Sequence, residues 1–358
     1  MKTLYDKYRR RISTATTQLG CLCMHQRFFK NGGEISSDNI SIDSIFISRG
    51  EADRTAVVIS GTHGLEGPIG AEFQLRLLNK LAADYSDVMP EGVNILLIFA
   101  LNPWGFKYGE RTNEDNIDLN RNAFSKALDT DSSDHELILD VLLPDEWSDQ
   151  AGANLLARVR DLGLEKFKQI FSQGQYKYPD SLFFGGTEES WNITTLRNIV
   201  EFYLGESKKA VVLDVHTGLG ERAEGVILSP AFPEEIGLRA RTVATFGDCC
   251  QFPNTESSIS SKISGDILSG IMRWKPGIEF LPVALEIGVL PVKDSVERLV
   301  RANWVRQNRN KVSDNFYRQS KRDLWGAFFP EGDQEWMEES IEACFGSYSL
   351  LLNWLVDE

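Results

Sequence analysis

Apolar positions along the chain follow two periods. Short aliphatic and β-branched runs at 55–60, 93–101, 210–215, 225–229 and 281–287 are too brief for helices and read as strands. The run at 93–101 is nearly continuous, as a strand buried on both faces is. Residues 41–48 alternate instead, with Ile45 and Ile47 set against polar neighbours, the pattern of a half-buried edge strand. Ala71, Leu75, Leu78 and Ala82 recur at helical spacing, and Phe73, Leu77 and Leu81 widen that stripe into a face that packs on a sheet. The first 40 or so residues read as a helix followed by a polar Asn31-Gly32-Gly33 loop, and two more helices are expected at about 294–320 and 335–356. Strands alternating with helices predict one α/β domain over 1–358, with helices on both faces of a mixed sheet. A mostly helical insertion at about 130–205 interrupts it, broken at Gly174, Pro179 and Gly185-Gly186.

Composition narrows the class without naming an activity. The chain has 358 residues, 42% hydrophobic and 25% charged, ordinary for a globular enzyme with a large core. Lys and Arg number 38 against 52 Asp and Glu, a formal net charge of -14. So acidic a surface repels phosphate backbones and anionic lipid, so neither nucleic acid nor a membrane is an expected partner. No apolar run approaches the length of a bilayer span, and no apolar segment follows the basic start to make a secretory signal. Five cysteines without framework spacing read as reduced thiols, which places the protein in the cytoplasm. Oligomeric state leaves no trace in the sequence.

Three of the strand ends carry polar groups that a core would not want. Val57-Val58-Ile59-Ser60-Gly61-Thr62-His63-Gly64-Leu65-Glu66-Gly67 reads as a strand, a glycine turn and the start of a helix. The turn holds an imidazole and a carboxylate three residues apart. His216 ends the 210–215 run, and Glu286 lies near the end of the 281–287 run. Ligands of open α/β sheets gather outside the carboxyl ends of the strands, where these groups can converge. His63, Glu66 and His216 would then make a His₂Glu site, the ligand set of hydrolytic zinc enzymes with an open position for water. Glu286, costly to bury unpartnered, would serve as general base beside the metal. Each has a plainer alternative: a solvated His–Glu pair, a neutral core histidine at 216, a structural salt bridge at 286. His25 and His135 lie in segments without a motif and read as surface residues.

Five segments, in order, resemble the zinc carboxypeptidase superfamily near its succinylglutamate desuccinylase and aspartoacylase branch, and most of all an uncharacterised domain-of-unknown-function group within it. They are His63-Gly64-Leu65-Glu66, Asn102-Pro103-Trp104-Gly105, the stretch from Arg111 to Asn122, Asp214-Val215-His216-Thr217 and Leu285-Glu286-Ile287-Gly288. The resemblance implies a three-layer αβα fold with a mixed, mostly parallel central sheet. It also implies one Zn²⁺ per chain on His63, Glu66 and His216, with Glu286 as catalytic base. Arg111 would polarise the scissile carbonyl, Asn120 and Arg121 would bind a substrate carboxylate, and Asp118 would orient His63. One departure stands out. The superfamily's peptidases carry a substrate-binding tyrosine between the last zinc histidine and the glutamate, and this chain has none between Tyr203 and Tyr317. Tyr176 and Tyr178 of the insertion are the candidates to replace it. The expected activity is zinc-dependent hydrolysis of an amide bond in a small carboxylate-bearing substrate, carboxypeptidase-like. The alternatives are an N-acyl amino acid deacylase of aspartoacylase type and a catalytically silent binding protein. A serine hydrolase is disfavoured, since the chain has no Gly-x-Ser-x-Gly elbow.

Overall fold

The short apolar runs pair into one eight-stranded sheet, in a computed structural model that describes residues 3–30, 39–123, 132–148, 150–247, 250–253, 263 and 265–357. Chain order gives β1 (Cys23–Phe28), β2 (Ile42–Ile47), β3 (Arg54–Ser60), β4 (Val93–Phe99), β5 (Lys209–Arg222), β6 (Gly225–Leu228), β7 (Cys250–Gln251) and β8 (Glu279–Gly288). Their spatial order is β1-β2-β4-β3-β5-β8-β6-β7. The central four, β4, β3, β5 and β8, run parallel, and β1, β2 and β6 bring the antiparallel pairings.

Side-chain alternation along the strands builds a core on each face. Ala56 and Val58 of β3 point to one side, together with Val211, Leu213 and Val215 of β5, and meet α1 (Leu4–Gln18), α2 (Gly67–Ala83), α8 (Ile236–Phe246) and α12 (Gln334–Val356). Val57 and Ile59 point to the other side, against α7 (Trp191–Tyr203) and α9 (Ile267–Trp274). Each such fully buried aliphatic chain contributes about 1.5–3 kcal/mol. The result is a three-layer α/β arrangement. A third apolar cluster joins α4 (Glu136–Leu142), α5 (Gln150–Leu162) and α6 (Leu164–Ser172) of the insertion to α10 (Val292–Gln307) and α11 (Asp314–Phe328). It includes Leu65 of the turn after β3, which α11 approaches.

Several expectations change. Residues 41–48 are not an edge strand: β1 pairs outside β2, and β2 is buried along almost its whole length. The Asn102-Pro103-Trp104-Gly105 turn opens a short helix, α3 (Pro103–Tyr108), because Asn102 caps it by accepting from Gly105 N at 2.9 Å and Pro103 suits a first helical position. The expected helix at 294–320 divides into α10 and α11, where Ser313 caps the second by accepting from Phe316 N. β7, α8 and α9 fill the stretch between β6 and β8, which showed no clear period. His25 and His135 are not surface residues: His25 pairs with buried Asp43 at 2.7 Å, and His135 is buried with Nε2 2.9 Å from Ser181 Oγ. The Asn31-Gly32-Gly33 loop lies outside the described residues. Cys23 and Cys344 are free thiols.

Candidate metal centre

β3 delivers its turn to the carboxyl end of the sheet through two close approaches. Gly61 adopts φ +68°, a left-handed conformation that favours glycine. Gly64 lies so near α3 that a Cβ there would sit 2.1 Å from the Gly105 carbonyl carbon. Gly64 N and Leu65 N then donate to the carbonyls of Arg111 and Glu110 at 3.2 and 2.9 Å. The turn bearing His63 and Glu66 is thus tied to the loop bearing Arg111. That loop is clamped from its far side by Arg306 of α10, which donates to Thr112 Oγ1 at 2.6 Å and to the carbonyls of Asn113 and Glu114 at 3.0 Å each.

Candidate ligand atoms of His63, Glu66 and His216 all lie within 4.8 Å of one another, and all three residues are buried. His216 Nδ1 is 3.0 Å from Glu66 Oε2, and its Nε2 is 2.8 Å from Asp214 Oδ2. Asp214 Oδ1 in turn accepts from Thr62 Oγ1 at 2.8 Å. One carboxylate therefore fixes the ring of His216, the arrangement that orients metal-ligating imidazoles. Burial presses the His216 pKa down, yet the charge and hydrogen bond of Asp214, with Glu66 beside it, hold it well above the usual histidine value. His63 is driven the opposite way, well below the usual value, by burial and then by the Arg111 charge. It is a neutral ring, the form that ligates metals.

Arg111 reaches into the same cluster, with Nη2 2.7 Å from His63 Nε2, Nη1 3.1 Å from Glu66 Oε1 and Nε 3.2 Å from Asp118 Oδ2. Asp118 lies 3.7 Å from His63 Nδ1, beyond hydrogen-bonding distance, and its direct partner is Arg111. Glu286 is paired in register with His216 on the neighbouring strand, which sets both side chains on one face. Burial, reinforced by Glu66 and against the pull of His216, pushes its carboxyl up to about 8, near neutrality as a proton carrier requires. Two buried atoms here, His63 Nδ1 and Glu286 Oε2, have no hydrogen-bond partner among the described residues. Two imidazoles, a carboxylate and two buried polar atoms left without partners fit a divalent ion such as zinc, held by His63, Glu66 and His216.

Asn120 and Arg121 are engaged with backbone groups. Asn120 Oδ1 accepts from Ile267 N at 3.0 Å, joining the loop to α9. Arg121 is buried, donating through Nε at 3.0 Å and through Nη2 to the Ser172 carbonyl, and through Nη1 to the Asn120 carbonyl at 2.9 Å. Backbone thus takes much of the fork that was expected to meet a substrate carboxylate. The two tyrosines of the insertion are likewise engaged: Tyr176 OH donates to the Arg121 carbonyl at 2.7 Å and Tyr178 OH to Glu136 at 2.5 Å. The ring that the insertion does bring to the centre is Phe183, about 5 Å from both guanidiniums (5.1 Å from Arg111, 5.2 Å from Arg121). Its backbone is left-handed, φ +56°, a costly conformation for an aromatic residue. Sequence reading missed Asp214, Thr62 and Phe183. Asp214 was within reach, since a residue two before His216 in a strand shares its face; nothing local marked Phe183.

Together, the sheet order and the site define a protein of metallocarboxypeptidase fold with a His-Glu-His candidate metal centre. The chain belongs to the family described as protein of unknown function (DUF2817), whose profile matches residues 2–343. Among solved structures it is similar to bovine thrombin-activatable fibrinolysis inhibitor in complex with tick carboxypeptidase inhibitor, at 11% identity, TM-score 0.57 and coverage of 99% of this chain and 97% of that one. It is also similar to carboxypeptidase A from Helicoverpa armigera, at 13% identity, TM-score 0.52 and coverage of 93% and 72%. A short stretch of 76 residues is 37% identical to carboxypeptidase SOL1 of Arabidopsis thaliana, covering 20% of this chain and 15% of that protein.

Proposed function

We propose that the protein is a metal-dependent hydrolase, with zinc as the ion, that cleaves the amide bond of a small substrate bearing a free carboxylate. The observation that carries this reading is the convergence of His63, Glu66 and His216 within 4.8 Å, with Glu286 on the adjoining strand. Bound there, zinc supplies Lewis acidity for the carbonyl and for the attacking water. The remaining work falls to the chain. Glu286, whose carboxyl is poised near neutrality, takes a proton from water and passes it to the amine nitrogen as the C–N bond breaks. Arg111, with its side chain 13% exposed, offers N–H donors to the carbonyl oxygen as charge develops on it. Asp214 keeps His216 in one tautomer and orientation, and Asp118 holds Arg111 through Nε.

Short peptides and N-acyl amino acids share the amide-beside-carboxylate chemistry, and similarity to carboxypeptidases supports the peptide side. The test is a screen of both classes, as free acids and as C-terminal amides, with and without added zinc. Hydrolysis that needs zinc and prefers free acids is expected. Turnover indifferent to metal, or equal on amides and acids, would count against the reading.

A further inference from the structure

We propose that Arg111 and the metal compete for the same lone pairs, so that loading the centre releases the guanidinium toward substrate. This rests on the metal reading above and deepens it. A guanidinium has five N–H donors and no acceptor, so at 2.7 Å from Arg111 Nη2 the His63 Nε2 atom must be the acceptor. A ligand histidine gives the metal the lone pair of one ring nitrogen and carries its proton on the other. Only two arrangements exist for His63. Metal on Nε2 takes the lone pair that Arg111 holds. Metal on Nδ1 moves the ring proton to Nε2, and two N–H groups would then face each other at the Arg111 contact. In both, Nη2 has to leave.

Glu66 is divided in the same way. Its Oε2 faces His216 Nδ1 at 3.0 Å and accepts from Thr217 N at 3.3 Å, while Oε1 is held by Arg111 Nη1 at 3.1 Å. The guanidinium therefore spans two of the three candidate ligands. Its third contact, Nε to Asp118 Oδ2 at 3.2 Å, involves no ligand and survives the exchange, and the Phe183 ring lies beside it at 5.1 Å. Arg111 can thus pivot about Asp118 instead of swinging free, turning its two Nη groups from the ligands to an incoming oxygen. Metal affinity and Arg111 contacts are then reciprocally linked: what strengthens one weakens the other.

The experiment is a zinc titration of chelator-stripped protein against a competing fluorescent chelator, with wild type, Arg111→Lys and Arg111→Met. Arg111→Met is expected to bind zinc at least about tenfold more tightly, the scale of one charge-assisted hydrogen bond that no longer has to be broken. Arg111→Lys, which keeps the charge and loses the fork, should fall between. Thermal melts supply a second readout: metal-free Arg111→Met should melt below wild type, with Glu66 Oε1 left buried without the Arg111 donor, and should gain more from zinc. Wild type with no measurable zinc affinity would remove the metal reading and this inference together. Wild type that binds zinc, with Arg111→Met no tighter, would overturn the inference alone. So would Arg111→Lys matching wild type, since simple charge repulsion would then explain any effect of Met; if the Met variant does not fold, this comparison decides.

Discussion

The carboxyl of Glu286 sits one strand from His216 with an oxygen that no donor among the described residues satisfies, flanked by Leu285 and Ile287 in a buried strand. A structural salt bridge would have supplied a partner for that oxygen. Glu286→Gln keeps size and leaves His63, Glu66 and His216 untouched, so metal content should stay at the wild-type level. Turnover should fall by about 10²–10⁴-fold, the usual value of positioned acid–base help. A metal-loaded variant with wild-type kcat would show that another group moves the proton. Arg121 makes the opposite case. Its guanidinium satisfies the Ser172 and Asn120 carbonyls in a nearly closed environment, so Arg121→Lys should cost about 1–3 kcal/mol of stability. Chemical denaturation measures this directly; unchanged stability with a raised KM would put the guanidinium on substrate instead. The two residues were equally prominent in the sequence. Chain order placed Glu286 in a strand whose neighbours are regular, whereas the surroundings of Arg121 come from the insertion, far away in sequence.

At the scale of elements, the insertion is where sequence reading was weakest. Its mostly helical character was legible from the sequence, and α4, α5 and α6 fall within it, though the breaks that separate them were not marked. What they cover was not legible, because packing between elements distant in sequence leaves no local period. His135 shows the consequence. Burial among these helices depresses its pKa from 6.5 to about 4, so the folded protein resists a proton that the unfolded chain accepts. The stabilising effect of the neutral ring is complete above pH 6.5 and is lost as pH falls from 6.5 toward 4. By linkage the loss totals about 3 kcal/mol. His135→Gln should lower stability at neutral pH yet flatten its fall across that window, as seen in thermal midpoints at pH 7, 6, 5 and 4. Parallel curves for variant and wild type would place the acid sensitivity in other groups. β1 and β7 escaped notice for a related reason: they lie at the sheet margins, and their side chains are only partly buried, so neither periodicity was marked.

For the whole molecule, the central parallel strands carried the clearest sequence signals and they carry the site. β3, β5 and β8 run side by side and parallel, so the turn after β3, a residue within β5 and its cross-strand neighbour meet although 223 positions separate His63 from Glu286 (286 less 63). The rule that ligands collect at the carboxyl ends of such strands was enough to group His63, Glu66, His216 and Glu286 in advance. It could not reveal that Asp214 fixes His216 or that Arg111 bridges His63 and Glu66, since both depend on side-chain placement within one ångström or so. No helix among the described residues is long and apolar enough to cross a membrane. The central claim is that these three residues form one metal centre. It is tested most directly by elemental analysis of purified protein after exchange into trace zinc, comparing wild type with His216→Ala. The account predicts about one zinc per chain in wild type, the stoichiometry of a single three-ligand site, and almost none in His216→Ala at matched folded concentration. Equal zinc in the two proteins, or none in either, would contradict it.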